Sequence, residues 1–116
     1  MVNKMRMWMV DPKAMCVRHL MGEHLELHMF AGTLNKGKSS VRGYIDNNLL
    51  EPKSIVSRHK ELTEEMTIRK YNHMSPLKEV DLKQISEADA SHIIDREKAL
   101  QDLLARCPEC RERRYV

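Results

Sequence analysis

Residues 11–31 are the segment of this sequence that most restricts how the chain can fold. Asp11 followed by Pro12 is a typical helix start, because Asp accepts hydrogen bonds from free backbone N–H groups and proline suits the first turn. Apolar residues then recur with the roughly 3.6-residue period of an α-helix, and further Leu and Met residues cover much of the opposite side. We expect Gly32 to end this helix. A helix that is apolar on nearly every side is predicted to lie at the centre of the fold.

Two further helices are predicted downstream. The second covers residues 53–71, with Pro52 at its start, and its apolar side chains again follow helical spacing. The third begins at Ser86, where Ser86 and Asp89 resemble a capping box, and ends before Pro108. The polar and glycine-containing stretches between the three helices are expected to be loops.

The composition favours an all-α fold. Aromatic residues make up only 4% of the chain and methionine occurs nine times, which suits packing between helices better than a β-sandwich. Only residues 5–10 show any alternation typical of a strand. We therefore predict a single compact domain over residues 1–116, with about three main helices around a central, largely buried first helix. Residues 1–4 are interpreted as an N-terminal extension and residues 106–116 as a basic tail.

The charge distribution and the cysteine content indicate a type of binding partner and a cellular compartment. The net charge is +3, with a mildly basic N-terminal half and a basic tail on either side of an acidic stretch. This pattern is compatible with a polyanionic partner, although ordinary solvated faces produce it too. No apolar run approaches the ~20 residues that span a bilayer, and residues 1–10 lack the apolar centre of a signal peptide. Three cysteines without a disulfide spacing favour an intracellular compartment and no membrane association.

Residues 32–39 match the phosphate-binding pattern G-x-x-x-x-G-K-[ST]. A true P-loop needs a buried strand before it and a helix directly after it. Here the preceding segment is predicted to be a helix, and turn-forming residues follow. We expect a flexible connection between helices, or a basic loop that contacts nucleic-acid phosphates, rather than a nucleotide site.

Polar residues interrupt the predicted first helix. His19, Glu23 and Glu26 have i, i+4, i+7 spacing and therefore share one side of the helix. Carboxylates on a mostly apolar helix need ionic partners, or serve as an acid or base with a raised pKa, and both interpretations remain open. His24 and His28 have a metal-ligand spacing, but Leu25 replaces the glutamate of the H-E-x-x-H zinc signature.

The tail contains one C-x-x-C motif, formed by Cys107 and Cys110. Such a motif supplies two of the four ligands of a structural zinc site, and His92 or Cys16 could complete the set. Redox chemistry and an inert turn are the alternatives. We expect the turn, and hence no bound metal.

The order and spacing of several segments resemble the bacteriophage endonuclease V family, the pyrimidine-dimer DNA glycosylases. Met5-Arg6, residues 19–27 and residues 30–32 carry the resemblance, which is clearest over residues 5–34. It continues more weakly into the second helix, and the tail is similar to that of shorter members of the family.

The resemblance implies an all-α enzyme that excises cyclobutane pyrimidine dimers from double-stranded DNA and then acts as an AP lyase. In this family the N-terminal α-amine attacks C1′ of the damaged nucleotide, displaces the base and forms a Schiff base. β-Elimination then nicks the strand. A glutamate stabilises the positive charge on the sugar and assists proton transfer, and no cofactor or metal takes part. We expect a monomer in a prokaryotic or virus-infected cell.

The resemblance assigns roles to five residues. Glu26 matches the catalytic glutamate, and Met5 matches the residue that carries the nucleophilic amine. Arg6 matches the arginine that follows it, and His19 a histidine near the active site. Glu23 matches a second acidic position on the same helix.

The sequence departs from the family pattern at its start and in its DNA contacts. Met5 is the fifth residue here, so either residues 1–4 fold back or the working chain starts at Met5. Leu25 and Met29 stand where the phage prototype has two DNA-binding arginines. Phosphate contacts are therefore expected from other cations, namely Arg18, Lys36, Lys38 and Arg42. A non-catalytic DNA-binding protein, or a glycosylase for a different modified base, is the alternative function.

Overall fold

A computed structural model describes residues 5–36, 41–71, 76–83 and 85–114, and every regular element in these ranges is helical. The helices are α1 (Val17–Asn35), α2 (Val41–Asp46), α3 (Ile55–Ile68), α4 (Glu87–Ala90), α5 (Arg96–Arg106) and α6 (Pro108–Arg114), with 3-10 turns at Pro12–Ala14 and Pro52–Ser54. The all-α prediction is confirmed. Of the described helices, none combines the length and apolar character that crossing a membrane would require.

The predicted first helix differs from the observed one at both ends. Asp11 caps only the 3-10 turn, where its carboxylate accepts from the N–H of Lys13 at 3.0 Å. Met15 is extended, so the α-helix starts again at Val17. The prediction that Gly32 ends the helix is wrong. A Cβ at Gly32 would meet no atom within 4 Å, and α1 continues because Leu34 of its next turn is buried in the core.

The second predicted helix is close to α3, with its first residues in the 3-10 turn at Pro52–Ser54. The third is wrong as a continuous helix, because the chain leaves helical geometry between α4 and α5. Ser86 caps α4 as predicted, accepting from the Asp89 N–H at 3.1 Å. The break follows from Glu51, whose buried carboxylate accepts the N–H of Ile94 at 2.8 Å.

The core lies mainly between α1 and α3, which pack against each other. Its fully buried apolar side chains include Leu20, Leu27, Phe30, Ile55 and Leu62. This agrees with a central first helix. However, α1 keeps one side open, since Leu25 is 61% exposed and Met29 is 48% exposed.

Residues 5–10 and helix α6 both lie near the start of α1. Residues 5–10 form no strand, although the Met7 N–H donates to the Leu49 carbonyl at 2.8 Å. Met7 and Trp8 are buried, which holds this segment on the core. The predicted basic tail is largely helical, because α6 packs on α5 and on the first 3-10 turn. These contacts bring residues 5–10 and α6 to the N-terminal part of α1.

Candidate active site

Glu26 lies beside the N-terminal segment. Its Oε1 accepts a hydrogen bond from the backbone N–H of Arg6 at 2.7 Å, across 20 residues of sequence. Met5 packs partly buried against the core just before this contact. The structure therefore brings together Met5, Arg6 and Glu26, three of the residues that the resemblance assigned to catalysis.

The surroundings of Glu26 favour its protonated form. Burial raises the pKa of Glu26, and the nearby Glu23 charge raises it further, while the Arg6 N–H opposes the shift. A carboxyl group with a raised pKa can accept a proton and return it near neutral pH. Such a group is suited to proton transfer in a reaction that makes and consumes a protonated amine.

Glu23 occupies a different environment from Glu26. Both of its oxygens accept from Arg58 of α3, at 2.7 Å from Nε and 2.9 Å from Nη2. Arg58 also donates to the Val10 carbonyl at 2.7 Å, and both charged side chains are almost fully buried. Burial lowers the pKa of Arg58, but its hydrogen bonds with Glu23 outweigh this and raise it. Glu23 thus holds the segments around Glu26 in place.

Arg6 provides a cation next to Glu26. Its guanidinium lies 3.6 Å from the centre of the Trp8 ring and 3.8 Å from Asp102 of α5. Burial lowers the pKa of Arg6, and the Asp102 charge opposes this. Within the described residues, its buried Nε has no hydrogen-bond partner.

His19 faces a group of cysteines. Its Nδ1 lies 3.2 Å from Cys16 Sγ and 3.6 Å from Cys110 Sγ, while its ring meets the edge of Trp8 at 5.5 Å between centroids. Burial lowers the pKa of His19, and the positive charge of Arg18 adds to this effect, so both favour the neutral imidazole. His19 connects to Arg6 through the Trp8 ring.

The predicted phosphate-binding residues are exposed where the structure describes them. Arg18 lies 3.5 Å from Glu109, and Arg42 lies 3.3 Å from Asp46 and 3.6 Å from Asp89. Lys36 follows α1 and is exposed, whereas Lys38 lies outside the described residues. These pairs involve solvent-exposed cations, whose ion pairs are weak and exchange readily for phosphate contacts.

The histidine pair of α1 belongs to a larger cluster. His24 and His28 are joined by His59 of α3, with ring centroids 4.8 to 5.1 Å apart. The spacing of the pair was visible in the sequence, but the third histidine came from a different helix. The segment before the P-loop-like pattern is helix α1, as predicted, which differs from the strand that a P-loop requires.

The sequence model of the pyrimidine dimer DNA glycosylase family matches residues 5–79. The chain belongs to this family. No curated protein and no solved structure matches the chain. The resemblance seen in the sequence is thereby confirmed, and the matched range of this family member includes Arg6, Glu26 and Arg58. It excludes Cys107 and Cys110.

The sequence reasoning singled out Glu23 in this glycosylase family member but missed its buried partner, Arg58. Arg58 lies between Ile55 and Leu62 on the apolar side of α3, where an arginine needs a buried anion. In the same way, Glu23 is buried between Leu20 and Leu27 on the apolar side of α1. One positive residue in the apolar spacing of α3 and one negative residue in that of α1 therefore indicated this ion pair in the sequence. Trp8, the residue between Arg6 and His19, gave no comparable signal.

Proposed function

We propose that this protein is a DNA glycosylase with AP-lyase activity that excises cyclobutane pyrimidine dimers from double-stranded DNA. The observation that carries the proposal is the 2.7 Å hydrogen bond between the Arg6 N–H and Glu26. It brings the backbone at Met5 next to a carboxyl group whose pKa is raised by burial. Membership of the pyrimidine dimer DNA glycosylase family supports the same reaction.

In the proposed reaction the nucleophile is the α-amine of Met5, in a chain that starts at this residue. An α-amine has an ordinary pKa of about 7.7–8.0, so an appreciable fraction is neutral at physiological pH. Its nitrogen forms a bond with C1′ of the damaged nucleotide while the bond from C1′ to the base breaks. The base leaves with the bonding electrons and takes up a proton, and the amine loses one.

Glu26 has two roles in this scheme, one toward the sugar and one toward the amine. As a carboxylate it stabilises the positive charge that develops on the sugar, and it accepts the proton from the amine. Opening of the sugar ring then gives the Schiff base. Loss of a proton from C2′ and cleavage of the C3′–O bond complete the β-elimination and nick the strand.

The remaining residues bind and position the DNA in the proposed complex. Arg6 is held over Trp8 and next to Glu26, and in this scheme its guanidinium supplies the positive charge that faces the phosphate beside the damaged nucleotide. Arg18, Lys36, Lys38 and Arg42 contact phosphates further along the duplex. Glu23 acts as a positioning residue through Arg58.

Borohydride trapping on duplexes with an abasic site or a pyrimidine dimer tests the proposal. Two forms of the protein are compared, one starting at Met1 and one at Met5. The form starting at Met5 should give a covalent adduct with both duplexes. Glu26→Gln should slow adduct formation by roughly 10²–10⁴-fold, the usual contribution of a general acid or base. Glu64→Gln, which removes an exposed charge on α3, is the matched control.

The outcomes separate the proposed function from its alternatives. Binding of the damaged duplex without an adduct, by both forms, would favour a non-catalytic DNA-binding protein. An adduct with the abasic duplex alone would point to a glycosylase for a different modified base. Adduct formation by Glu26→Gln at the rate of the unmodified protein would remove Glu26 from the mechanism.

A further inference from the structure

Three thiols and one imidazole converge where α6 meets the start of α1. Cys16 Sγ lies 3.8 Å from Cys107 Sγ and 3.2 Å from His19 Nδ1, and Cys110 Sγ lies 3.6 Å from the same nitrogen. All four of these atoms lie within 4.8 Å of one another. The three cysteines are buried and none forms a disulfide.

The separations agree with tetrahedral zinc coordination. With Zn–S bonds of about 2.3 Å and Zn–N bonds of about 2.0–2.1 Å, ligand atoms at the corners of a tetrahedron lie about 3.5–3.8 Å apart. His19 Nδ1 lies 3.2 Å from Cys16 Sγ and 3.6 Å from Cys110 Sγ, and the sulfurs of Cys16 and Cys107 are 3.8 Å apart. These three distances are within a few tenths of an ångström of the tetrahedral range. Small side-chain rotations would suffice to bind the ion.

The ligands come as two pairs with the same short spacing. Two residues separate Cys16 from His19 around the start of α1, and two residues separate Cys107 from Cys110 around the start of α6. Such a spacing directs two ligands from one turn toward a single point, as in structural zinc sites. Cys16 and Cys107 are 91 residues apart in the sequence, and the fold brings the two pairs into contact.

Backbone N–H groups donate hydrogen bonds to two of the three sulfurs. The N–H of Cys16 donates to Cys110 Sγ at 3.1 Å, and the N–H of Cys110 donates to Cys107 Sγ at 3.4 Å. Cys16 also precedes the N-terminus of the 19-residue helix α1, whose dipole favours a thiolate. These contacts orient the sulfurs and suit them to a cation.

A redox function fits the same cysteines less well. Burial raises the pKa of Cys107, but hydrogen bonds from Cys110 outweigh this and lower it, as also occurs in redox C-x-x-C motifs. However, Cys16, Cys107 and Cys110 are only 0–3% exposed, which denies access to a partner thiol. Redox chemistry also leaves the nearby imidazole and third thiol without a role.

We propose that Cys16, His19, Cys107 and Cys110 bind a zinc ion. Three thiolates and one histidine fill a tetrahedron and leave no open position, so the site is structural rather than catalytic. The ion would tie α6 to the start of α1. Because the ring of His19 also contacts Trp8, which stacks on Arg6, His19 becomes a positioning residue for the DNA-binding surface.

Metal analysis of the full chain, purified with zinc and a thiol reductant, tests the site. We expect one zinc ion per chain and a lower melting temperature after chelation. Replacement of zinc by cobalt should give a thiolate-to-cobalt charge-transfer band and the intense ligand-field bands of a tetrahedral site. These spectra need no variant, so they do not depend on a substituted chain folding.

Variants of one ligand provide the second measurement. His19→Ala should weaken zinc binding by more than ~10-fold, since even the loss of an outer hydrogen-bond partner costs this much. His19→Cys should retain zinc and strengthen the charge-transfer band by adding a fourth thiolate. His92→Ala is the control, because this half-buried histidine bonds to Asn48, away from the cluster.

Several results would overturn the zinc proposal. One is a zinc-free protein whose cobalt form lacks the charge-transfer band. A second is an intact mass lower by two hydrogens, which would show that two of the three cysteines form a disulfide instead of binding zinc. A third is equal zinc loss from the His19→Ala and His92→Ala variants. All of these measurements are made without DNA, so their outcome is independent of the glycosylase activity.

Discussion

Glu23 and Glu26 lie one turn apart on α1, yet their partners give them opposite properties. Glu23 is buried against Arg58, which satisfies both of its oxygens. Glu26 is only partly buried, accepts a single backbone N–H and has a raised pKa. At the scale of the residue, the number and charge of the hydrogen-bond donors decide which carboxylate is a scaffold and which is available for chemistry.

The raised pKa of Glu26 predicts a pH-dependent stability. The folded protein favours protonated Glu26 more than the unfolded chain does. Its contribution to the free energy of unfolding is therefore full below the ordinary pKa of about 4.3 and declines as pH rises through the higher folded-state pKa. The unmodified protein should lose stability relative to Glu26→Gln as the pH rises from the ordinary pKa through the higher folded-state pKa.

Urea denaturation of both proteins across this pH interval measures the difference. The exposed variant Glu64→Gln should show a nearly constant difference from the unmodified protein. If the unmodified protein instead gains stability relative to Glu26→Gln as the pH rises, the folded state favours the ionised carboxylate of Glu26.

At the scale of the element, α1 carries the candidate site on one side and exposed apolar residues on another. Leu25 and Met29 are among these exposed residues, and the resemblance matches their positions with DNA-binding arginines. Exposed leucine and methionine on a helix contribute little to the core. They are therefore places where charge can be added without removing a packed side chain.

Leu25→Arg should tighten binding to double-stranded DNA, because it restores a cation where the resemblance places one. Each added phosphate contact should steepen the dependence of log K on log salt by roughly 0.9. Fluorescence anisotropy with a labelled duplex at several salt concentrations measures both effects. Ile93→Arg adds the same charge at a residue that is 65% exposed between α4 and α5. Equal tightening by both variants would indicate a net-charge effect without a defined contact.

At the scale of the whole molecule, Arg58 links parts of the chain that are distant in sequence. It joins α3 to Glu23 of α1, to the Val10 carbonyl of the N-terminal segment and to the Met15 sulfur at 3.4 Å. The zinc site proposed above would add α6 to the same end of α1. The molecule is thus held by a few buried polar groups as well as by its apolar core.

Arg58→Met should lower the free energy of unfolding by about 3–5 kcal/mol, because it leaves the Glu23 carboxylate buried without its cation. The matched control is Arg18→Met, whose pair with Glu109 is exposed and should matter by at most ~1 kcal/mol. Chemical denaturation measures both changes. Adding Glu23→Gln to Arg58→Met should cost less than the two single changes together. Strict additivity would show that the two residues do not act as a pair.

Much of the local structure was predictable from the sequence because it depends on neighbouring residues. Ser86 caps α4 and Asp11 caps the first 3-10 turn, as their positions before helical patterns indicated. The break between α4 and α5 was missed although Asp95 caps the start of α5 locally, because the second contact at the break comes from the Glu51 carboxylate, 43 residues before Ile94. The continuation of α1 past Gly32 was missed for a similar reason, since burial of Leu34 outweighs the usual effect of glycine.

By itself, the sequence determined that the chain is helical, that Glu26 shares a helix side with Glu23, and that the chain resembles pyrimidine-dimer DNA glycosylases. These conclusions rest on spacing within a few residues and on the order of short motifs. Only the tertiary structure decided which groups are partners: Arg6 with Glu26, Arg58 with Glu23, and Cys16 with the tail cysteines. The physical reason is that packing of the apolar helix faces sets the chain path, and this path brings together groups 20, 35 and 94 residues apart.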